Sequence, residues 1–449
     1  MSSGARERAQ AARALGRLLR EQRTLDQLEP DPPFAPFVRE LLYGTTRHFY
    51  SLAAQLAPFL KQPLRAKDQD VYALLLIGAY QLVHLRVPDH AAVAETVAAT
   101  RQLGKPWARA LVNACLRNLR RSLPDAPADQ PRQQARTAPS PYTTDEVRFD
   151  LPQWLIDGLQ ADYGAAAATI AAACGDRAPM SLRVQPGREA AVEAALERQD
   201  RAYTTPFRRE TWILDKPLSV TTLDEFVQGA CSAQDAGAQL AFSALEQLRE
   251  AIGAERGFRW LDACCAPGGK LFHALEQWRE RAPETLAVDL SERRLQQVRR
   301  EAERLGFDAN SRLEVQAADV SSNGWYAGPA FDLALIDAPC SGSGTLRRHP
   351  DIKLLREAGA IADQAQTQGL LLDSVAGSVR PGGGLLYATC SLLCAENDRV
   401  VEGFLKRHAH WTPLPLSLPT GQQRQFGWQL TPADPRTDGF YYAAMKQLQ

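Results

Sequence analysis

Leu261-Asp262-Ala263-Cys264-Cys265-Ala266-Pro267-Gly268-Gly269-Lys270 leads from an apolar run through two glycines into a helix-forming stretch. Phe258 to Ala263 has the length and composition of a buried strand, and residues 271–280 carry helical spacing. Glycines at such a strand-to-helix turn let a ligand approach the backbone, and the helix N-terminus favours anionic groups. Two nucleotide-binding patterns are excluded. A phosphate-binding P-loop would need glycine at Cys264 and serine or threonine at Leu271, and the dinucleotide spacing G-x-G-x-x-G is absent. A nucleotide-like site of another type remains. Asp289 ends the next strand candidate, 285–289, where an acid accepts from ribose hydroxyls in doubly wound folds. Asp319 is expected to end the strand after it, in reach of an adenine amino group.

Outward from this stretch the pattern is regular. Helix 292–305, strand 312–316, strand 331–337, helix 360–379, a turn at Pro381-Gly382-Gly383-Gly384 and strand 385–389 follow in turn. Strands alternating with helices imply a parallel sheet with crossovers on both faces. Asp438 to Ala443 reads as a final strand of the same sheet. Asp337-Ala338-Pro339-Cys340-Ser341-Gly342-Ser343-Gly344 ends the fourth strand, and Ala388-Thr389-Cys390-Ser391 ends the fifth. Both thiols therefore fall at the carboxyl edge of the sheet, beside the glycine turn. A lone buried cysteine is usually a small apolar residue. Two thiols and a carboxylate converging on one edge point to chemistry instead. His273, on the helix after the turn, reads as structural.

The chain has 449 residues, and at roughly 150 residues per domain that allows about three domains. Hydrophobic residues make up 45% and charged residues 23%, which excludes a mainly disordered or fibrous chain. The formal net charge is zero, so a basic nucleic-acid face must be local. Residues 1–120 hold 17 Lys+Arg against 10 Asp+Glu, a net of +7. Apolar residues recur there at helical spacing, over Leu15, Leu18 and Leu19 and again at 36–60, 69–86, 90–102 and 107–120. Solvated helix faces and a small RNA-binding helical bundle are both consistent with that pattern.

Residues 123–142 carry Pro124, Pro127, Pro131, Pro139 and Pro141 and read as a linker. Residues 143–240 mix a strand, Pro179 to Val184, with an alanine-rich helix, Arg188 to Gln199. The expected organisation is an all-α domain over 1–122, the linker, a small α+β domain over 143–240, and an α/β Rossmann-like domain over 241–449.

The longest apolar run, Val71 to Tyr80, is half of the ~20 residues a membrane helix needs. The N-terminal arginines lack an apolar partner run, so no secretory signal is expected, and Glu7 and Glu21 argue against a transit peptide. The expected location is the cytoplasm. Eight cysteines, among them adjacent Cys264 and Cys265, imply a reducing compartment rather than a disulfide framework. No C-x-x-C occurs and no metal is expected. Cys390-x-x-x-Cys394 matches the start of a radical iron–sulfur motif, but the third cysteine does not follow.

Taken together, the glycine loop, the Asp-Ala-Pro-Cys string at 337–340 and the Thr-Cys-Ser string at 389–391 resemble those of the class I S-adenosylmethionine (SAM)-dependent RNA 5-methylcytosine methyltransferases. The resemblance spans nearly the whole chain. Residues 1–120 are similar to a NusB-like helical domain, through Val87-Pro88-Asp89-His90-Ala91 and Leu111-Val112-Asn113-Ala114-Cys115-Leu116-Arg117. It implies a Rossmann-like catalytic domain, SAM as cosubstrate, and small-subunit (16S) ribosomal RNA, free or partly assembled, as substrate. A monomer with no membrane association is implied as well.

By the same resemblance Cys390 is the nucleophile, Asp337 holds N3 of the base, Cys340 assists release, and Lys270 lies near cosubstrate and base. Cys264, Cys265, Ala266, Pro267, Gly268, Gly269, Lys270, Asp289, Asp319 and Asp337 would line the SAM pocket. Arg347-Arg348-His349-Pro350-Asp351 resembles a family string expected to meet RNA phosphates. Two departures, Gly237 for the usual serine and Gln185 for asparagine, are expected to affect local substrate contacts only.

The chemistry agrees with the resemblance. C5 of cytosine is a poor nucleophile until a thiolate adds at C6, and release then needs a base to take the C5 proton. DNA cytosine methyltransferases place the nucleophile in the Pro-Cys string and carry Glu-Asn-Val downstream, which is absent here. The remaining rivals are an RNA-binding or assembly factor with an idle methyltransferase domain, which the presence of both Cys340 and Cys390 opposes, and a methyltransferase acting on another RNA, such as transfer RNA.

Overall fold

A computed structural model describes residues 3–30, 32–124, 144–307, 312–322 and 324–449. The proposed linker, 123–142, lies almost wholly outside the described residues. The chain forms two compact units, one of residues 1–176 with 346–357 and one of residues 177–345 with 358–449.

The first unit is helical. Helices α1 (Ser3–Glu21), α2 (Pro36–Arg47), α3 (Phe49–Leu56), α4 (Gln69–His84), α5 (Asp89–Gln102) and α6 (Arg109–Ser122) follow the expected periodicity. Helix α4 is buried on nearly every face, which explains why its sequence is an unbroken apolar run rather than an amphipathic stripe. The amphipathic helices, with Leu15, Leu18, Leu41, Leu52 and Leu116 pointing inward, close the core around it.

Helices α7 (Asp145–Phe149), α8 (Gln153–Tyr163) and α9 (Ala167–Ala173) belong to this unit, so the 143–240 stretch is divided between the two. The 346–357 segment buries Leu346, Arg347, Asp351 and Lys353 here. Lys353 Nζ donates to Arg47 O at 2.6 Å and Asp150 O at 2.5 Å. Asp351 accepts from Leu25 N at 3.0 Å.

Two residues of the Arg347–Asp351 string, expected to meet RNA phosphates, are buried. Arg347 and Asp351 are 3% exposed each, because their segment packs into the helical core rather than lying over open solvent. Arg348 and His349 keep partial exposure.

The second unit contains two sheets. In the smaller, β1 (Ser181–Val184), β2 (Tyr203–Thr204), β3 (Thr211–Leu214) and β4 (Cys231–Ala233) pair in the order β2-β3-β1-β4, with α10 (Glu189–Arg198) against them. After α11 (Ala236–Ile252) the large sheet begins. Its parallel strands are β5 (Arg259–Ala263), β6 (Glu284–Asp289), β7 (Leu313–Ala317), β8 (Phe331–Asp337) and β9 (Val379–Thr389). They are joined by α12 (Gly269–Gln277), α13 (Glu292–Arg304) and α14 (Ala358–Ala376). After α15 (Asp398–Arg407) come β10 (Trp411–Leu414), β11 (Gln422–Gln423), β12 (Trp428–Leu430) and β13 (Phe440–Gln447). The order is β11-β12-β13-β9-β8-β5-β6-β7, and β13 runs antiparallel to β9.

Strand β8 shows why this sheet is covered on both faces. Leu333 and Leu335 pack with α11 and α12, while Ala334 and Ile336 pack with α14 and α15. A period-two alternation between two apolar layers produces the unbroken Leu333–Ile336 run. The Pro381–Gly384 turn expected before the last parallel strand is instead part of β9. The pairing passes from Phe331↔Val379 to Leu333↔Gly384, so the extra residues bulge out while the sheet continues.

Gly237 and Gln185, the two departures, both sit in the second unit. Gly237 is buried at the start of α11, where a Cβ would come within 3.0 Å of Phe440 and 3.1 Å of Thr437. Gln185 donates to Leu305 O at 3.4 Å.

Candidate active site

Strand order reverses between β5, which leads on to β6, and β8, to which the chain returns after β7. Ligands in open α/β sheets bind at the carboxyl ends of the strands flanking such a reversal. The sequence-predicted residues sit there. Cys264 follows β5, Asp289 and Asp337 close β6 and β8, and Cys390 follows β9.

The loop after β5 is tightly built. Cys264 has φ 63° and Gly268 φ 105°. A Cβ at Gly268 would fall 2.5 Å from the Phe272 ring, so only glycine fits there. Cys265 and Ala266 are buried and offer the site backbone rather than side chains. Burial pushes the Cys264 thiol up to about 12, with Asp337 and Asp289 adding to it, and pushes Cys265 up as well. Both are neutral thiols.

Asp289, 3% exposed, accepts from Ser291 N at 2.9 Å, Arg294 Nη1 at 2.9 Å and Ala266 N at 3.3 Å. It thus ties the first loop to the end of the second strand. Leu290 beside it is 74% exposed, an apolar surface at the strand end. Strand β7 stops at Ala317, so Asp319 stands beyond it as an exposed residue that accepts from Ser321 N and Oγ. Those two hydrogen bonds hold its carboxyl below the ordinary range.

Asp262 was missed as a site residue by sequence reasoning. It is 1% exposed, and neither carboxyl oxygen has a hydrogen-bond partner among the described residues. Burial, reinforced by Asp337 and partly opposed by Lys270, pushes its pKa well up. Its signal in the sequence is an acid inside the apolar Trp260–Ala263 run. An orphaned carboxyl group beneath a glycine turn, with Asp289 at the adjoining strand end, suits a ligand that brings hydrogen-bond donors and a ribose.

The reactive side is built by Lys270, Asp337, Cys340 and Cys390. Lys270 Nζ donates to Asp337 Oδ2 at 2.7 Å and lies 5.5 Å from the Phe440 ring centre. Burial opposes the Lys270 ammonium, but Asp337 outweighs it and the pKa is raised. Cys340 Sγ is 3.3 Å from Cys390 Sγ. The thiols are not equivalent. A hydrogen bond from Cys340, together with the Lys270 cation, lowers Cys390 against the opposing effect of burial. Donating that bond, burial and the negative Glu396 raise Cys340.

The two cysteine loops touch. Gly344 N donates to Cys390 O at 2.9 Å, and a Cβ at Gly344 would fall 2.1 Å from Gly439 O. His273 is buried, bonded to Glu210 at 3.3 Å and away from the thiols' hydrogen-bond network, as a structural residue should be. Among the described residues no group of His, Cys, Asp and Glu side chains is arranged to hold a metal. No described helix is long and apolar enough to cross a membrane.

Fold and site together define a class I SAM-dependent methyltransferase. Comparison with known proteins refines the class. The family described as 16S rRNA methyltransferase RsmB/F matches residues 251–446, the NusB family matches 5–121, and the ferredoxin-like domain of RsmF/B-like methyltransferases matches 151–221. The chain is 39% identical to ribosomal RNA small subunit methyltransferase B of Pseudomonas syringae pv. tomato, over 91% of this chain and 88% of that one. It is 38% identical to the Pseudomonas putida protein of the same name, over 98% of each. The crystal structure of PH0851 shares the fold, with a TM-score of 0.77 and 19% identity over 98% of this chain and 99% of that one. The chain belongs to the ribosomal RNA small subunit methyltransferase B family, whose members are SAM-dependent rRNA methyltransferases.

Proposed function

We propose that the protein methylates C5 of a cytosine in small-subunit (16S) ribosomal RNA through a covalent bond between Cys390 and C6. The observation that carries this reading is the asymmetric thiol pair. Cys340 and Cys390 are 3.3 Å apart, and it is Cys390 that the hydrogen bond from Cys340, helped by the Lys270 cation, favours as the thiolate against burial and Asp337. A thiolate is the competent nucleophile, so the attacking group is Cys390.

When bound, SAM supplies an electrophilic sulfonium methyl. The loop from Cys264 to Lys270 would hold it together with Asp289, Asp319 and Asp337, and Leu290 offers a flat apolar surface to a purine. The cytosine must leave its stack to reach Cys390. The Cys390 sulfur forms a bond to C6, and its electron pair moves the C5–C6 π electrons into the ring, where the Lys270–Asp337 pair stabilises N3. Charge at N3 and C5 is then matched by fixed groups rather than by reorganising water.

After C5 is methylated, a base takes the C5 proton, the C5–C6 double bond re-forms and the Cys390–C6 bond breaks. Cys340 suits a part in release because its sulfur lies 3.3 Å from Cys390 Sγ, beside the bond that breaks.

The test is adduct trapping. Cys340→Ser should accumulate a protein–RNA adduct that survives denaturing electrophoresis and disappears with nuclease. Cys390→Ser and the double variant should show none. An adduct trapped in Cys390→Ser would reverse the two roles.

A further inference from the structure

Glu396 is 0% exposed, yet it is a carboxylate. It accepts from Ser341 N at 2.7 Å, Ser341 Oγ at 2.6 Å, Ser391 Oγ at 2.5 Å and Gln368 Nε2 at 3.4 Å. Ser341 and Ser391 are the residues that immediately follow Cys340 and Cys390. One buried side chain thus holds both thiol-bearing loops. Its main chain contributes too. Tyr387 OH, on the strand that leads to Cys390, donates to Glu396 O at 2.6 Å. The neighbouring Asn397 accepts from Thr389 Oγ1 at 2.6 Å and donates to Ser391 O at 3.0 Å, gripping both residues that flank Cys390. Ser343 Oγ accepts from Leu392 N at 2.9 Å and closes the remaining gap between the loops. A buried carboxylate is costly unless its hydrogen bonds are made, and here all its arms lead to the two catalytic loops or to the helix behind them.

We propose that Glu396 is a positioning residue that locks the Cys340 and Cys390 loops in one register, keeping the two sulfurs within hydrogen-bond reach through attack and release. This rests on the reading of Cys390 as nucleophile and Cys340 as its release partner. Glu396 is fully buried and acts through Ser341 and Ser391.

The test uses the full chain with labelled SAM and a ribosomal RNA transcript. Three readouts are taken: kcat, the KM for SAM, and the pH profile of Cys390 alkylation by iodoacetamide without RNA, assigned by peptide mass spectrometry. Glu396→Ala should lower kcat by about 100-fold, the scale of a misplaced reacting group, with KM for SAM within about twofold. The alkylation profile should move to higher pH, because the Cys340 hydrogen bond to Cys390 is no longer held. Glu396→Gln should recover kcat to within about tenfold of the native value, since an amide oxygen still accepts from Ser341 N and serine hydroxyls can turn to accept. A Glu396→Ala protein with kcat within about threefold of native, or with an unmoved alkylation profile, overturns the proposal. If Glu396→Ala does not fold, the Ser341→Ala/Ser391→Ala variant takes its place. It should lose at least about tenfold in kcat, and native turnover there overturns the proposal as well. The alkylation profile is read without RNA and without methyl transfer. It therefore tests the loop register even if methylation by a Cys390→Ser protein were to refute the nucleophile assignment.

Discussion

Two loops at the same sheet edge each carry thiols, and they behave in opposite ways. The loop after β5 holds Cys264 and Cys265, and the loops after β8 and β9 hold Cys340 and Cys390. Cys264 and Cys265 lie against carboxyl groups, and burial drives both thiols up. Cys390 is also buried, but it faces a hydrogen-bond donor and a lysine, and its pKa falls. Strand-end position alone therefore does not activate a cysteine. What decides is the hydrogen-bond donor aimed at sulfur, which at Cys390 outweighs burial and the Asp337 charge.

The largest effect expected from this contrast is in substitution of the thiols themselves. Cys390→Ser should lower methyl transfer by roughly 10³-fold or more, because serine is far less acidic and no adjacent base activates it. Cys265→Ala should still methylate RNA, and combined with Cys340→Ser it should still trap the covalent adduct. Tritium transfer from labelled SAM, together with adduct gels, measures both. Loss of the adduct in Cys265→Ala/Cys340→Ser would break the contrast.

Next comes the cosubstrate loop. Asp289→Ala removes the acceptor for Arg294 and for Ala266 N and should weaken SAM binding by about 1–3 kcal/mol, read by titration calorimetry. Unchanged affinity would remove Asp289 from the site.

A smaller effect concerns pH. The thiolate is the reactive form, so alkylation of Cys390 should fall as pH drops through its pKa, which is lowered from 9.0. Removing the Lys270 cation disfavours the thiolate, so Lys270→Met should move this limb to higher pH. A limb higher by about one pH unit means an alkylation rate about tenfold lower at neutral pH. A limb that stays in place would show that the Cys340 hydrogen bond alone sets the Cys390 pKa.

The smallest effect tests a basic face in the helical unit, where Arg117 and Arg121 are exposed on α6. Arg117→Gln/Arg121→Gln should reduce the slope of log affinity for RNA against log salt by about 1 for each phosphate no longer neutralised, with SAM affinity unchanged. An unchanged slope would return that face to a solvated role. Substitution is a cleaner test than deleting residues 1–120, because the 346–357 segment would lose the partner that Arg47 O gives to buried Lys353.

The parts of this molecule legible in the sequence are those that local pattern encodes. The helices of residues 1–122 show as apolar residues at helical spacing. The parallel strands show as short apolar runs, and their ends are marked by Cys264, Asp289, Asp337 and Cys390. The site was legible through those strand ends because a sheet with crossovers on both faces brings them to one edge whatever the loops do. Less local features were not. A turn expected at Pro381–Gly384 became a bulge inside β9, since pairing with β8 outweighs the glycines' preference for a turn. Glu396 carries no local signal, because nothing nearby in the chain reveals that Ser341, 55 residues earlier, donates to it.

By itself the sequence determined the class of fold, the cosubstrate loop and the pair of thiols, because residue type and spacing report which face is buried and which residues end a strand. Tertiary structure alone decided which thiol is favoured as the thiolate, that Asp262 is a buried acid without a hydrogen-bond partner among the described residues, and that Arg347 and Asp351 belong to the helical unit's interior. The reason is physical. Desolvation, charge pairing and hydrogen bonding depend on distances of a few ångström between residues far apart in the chain, and no local pattern carries those distances.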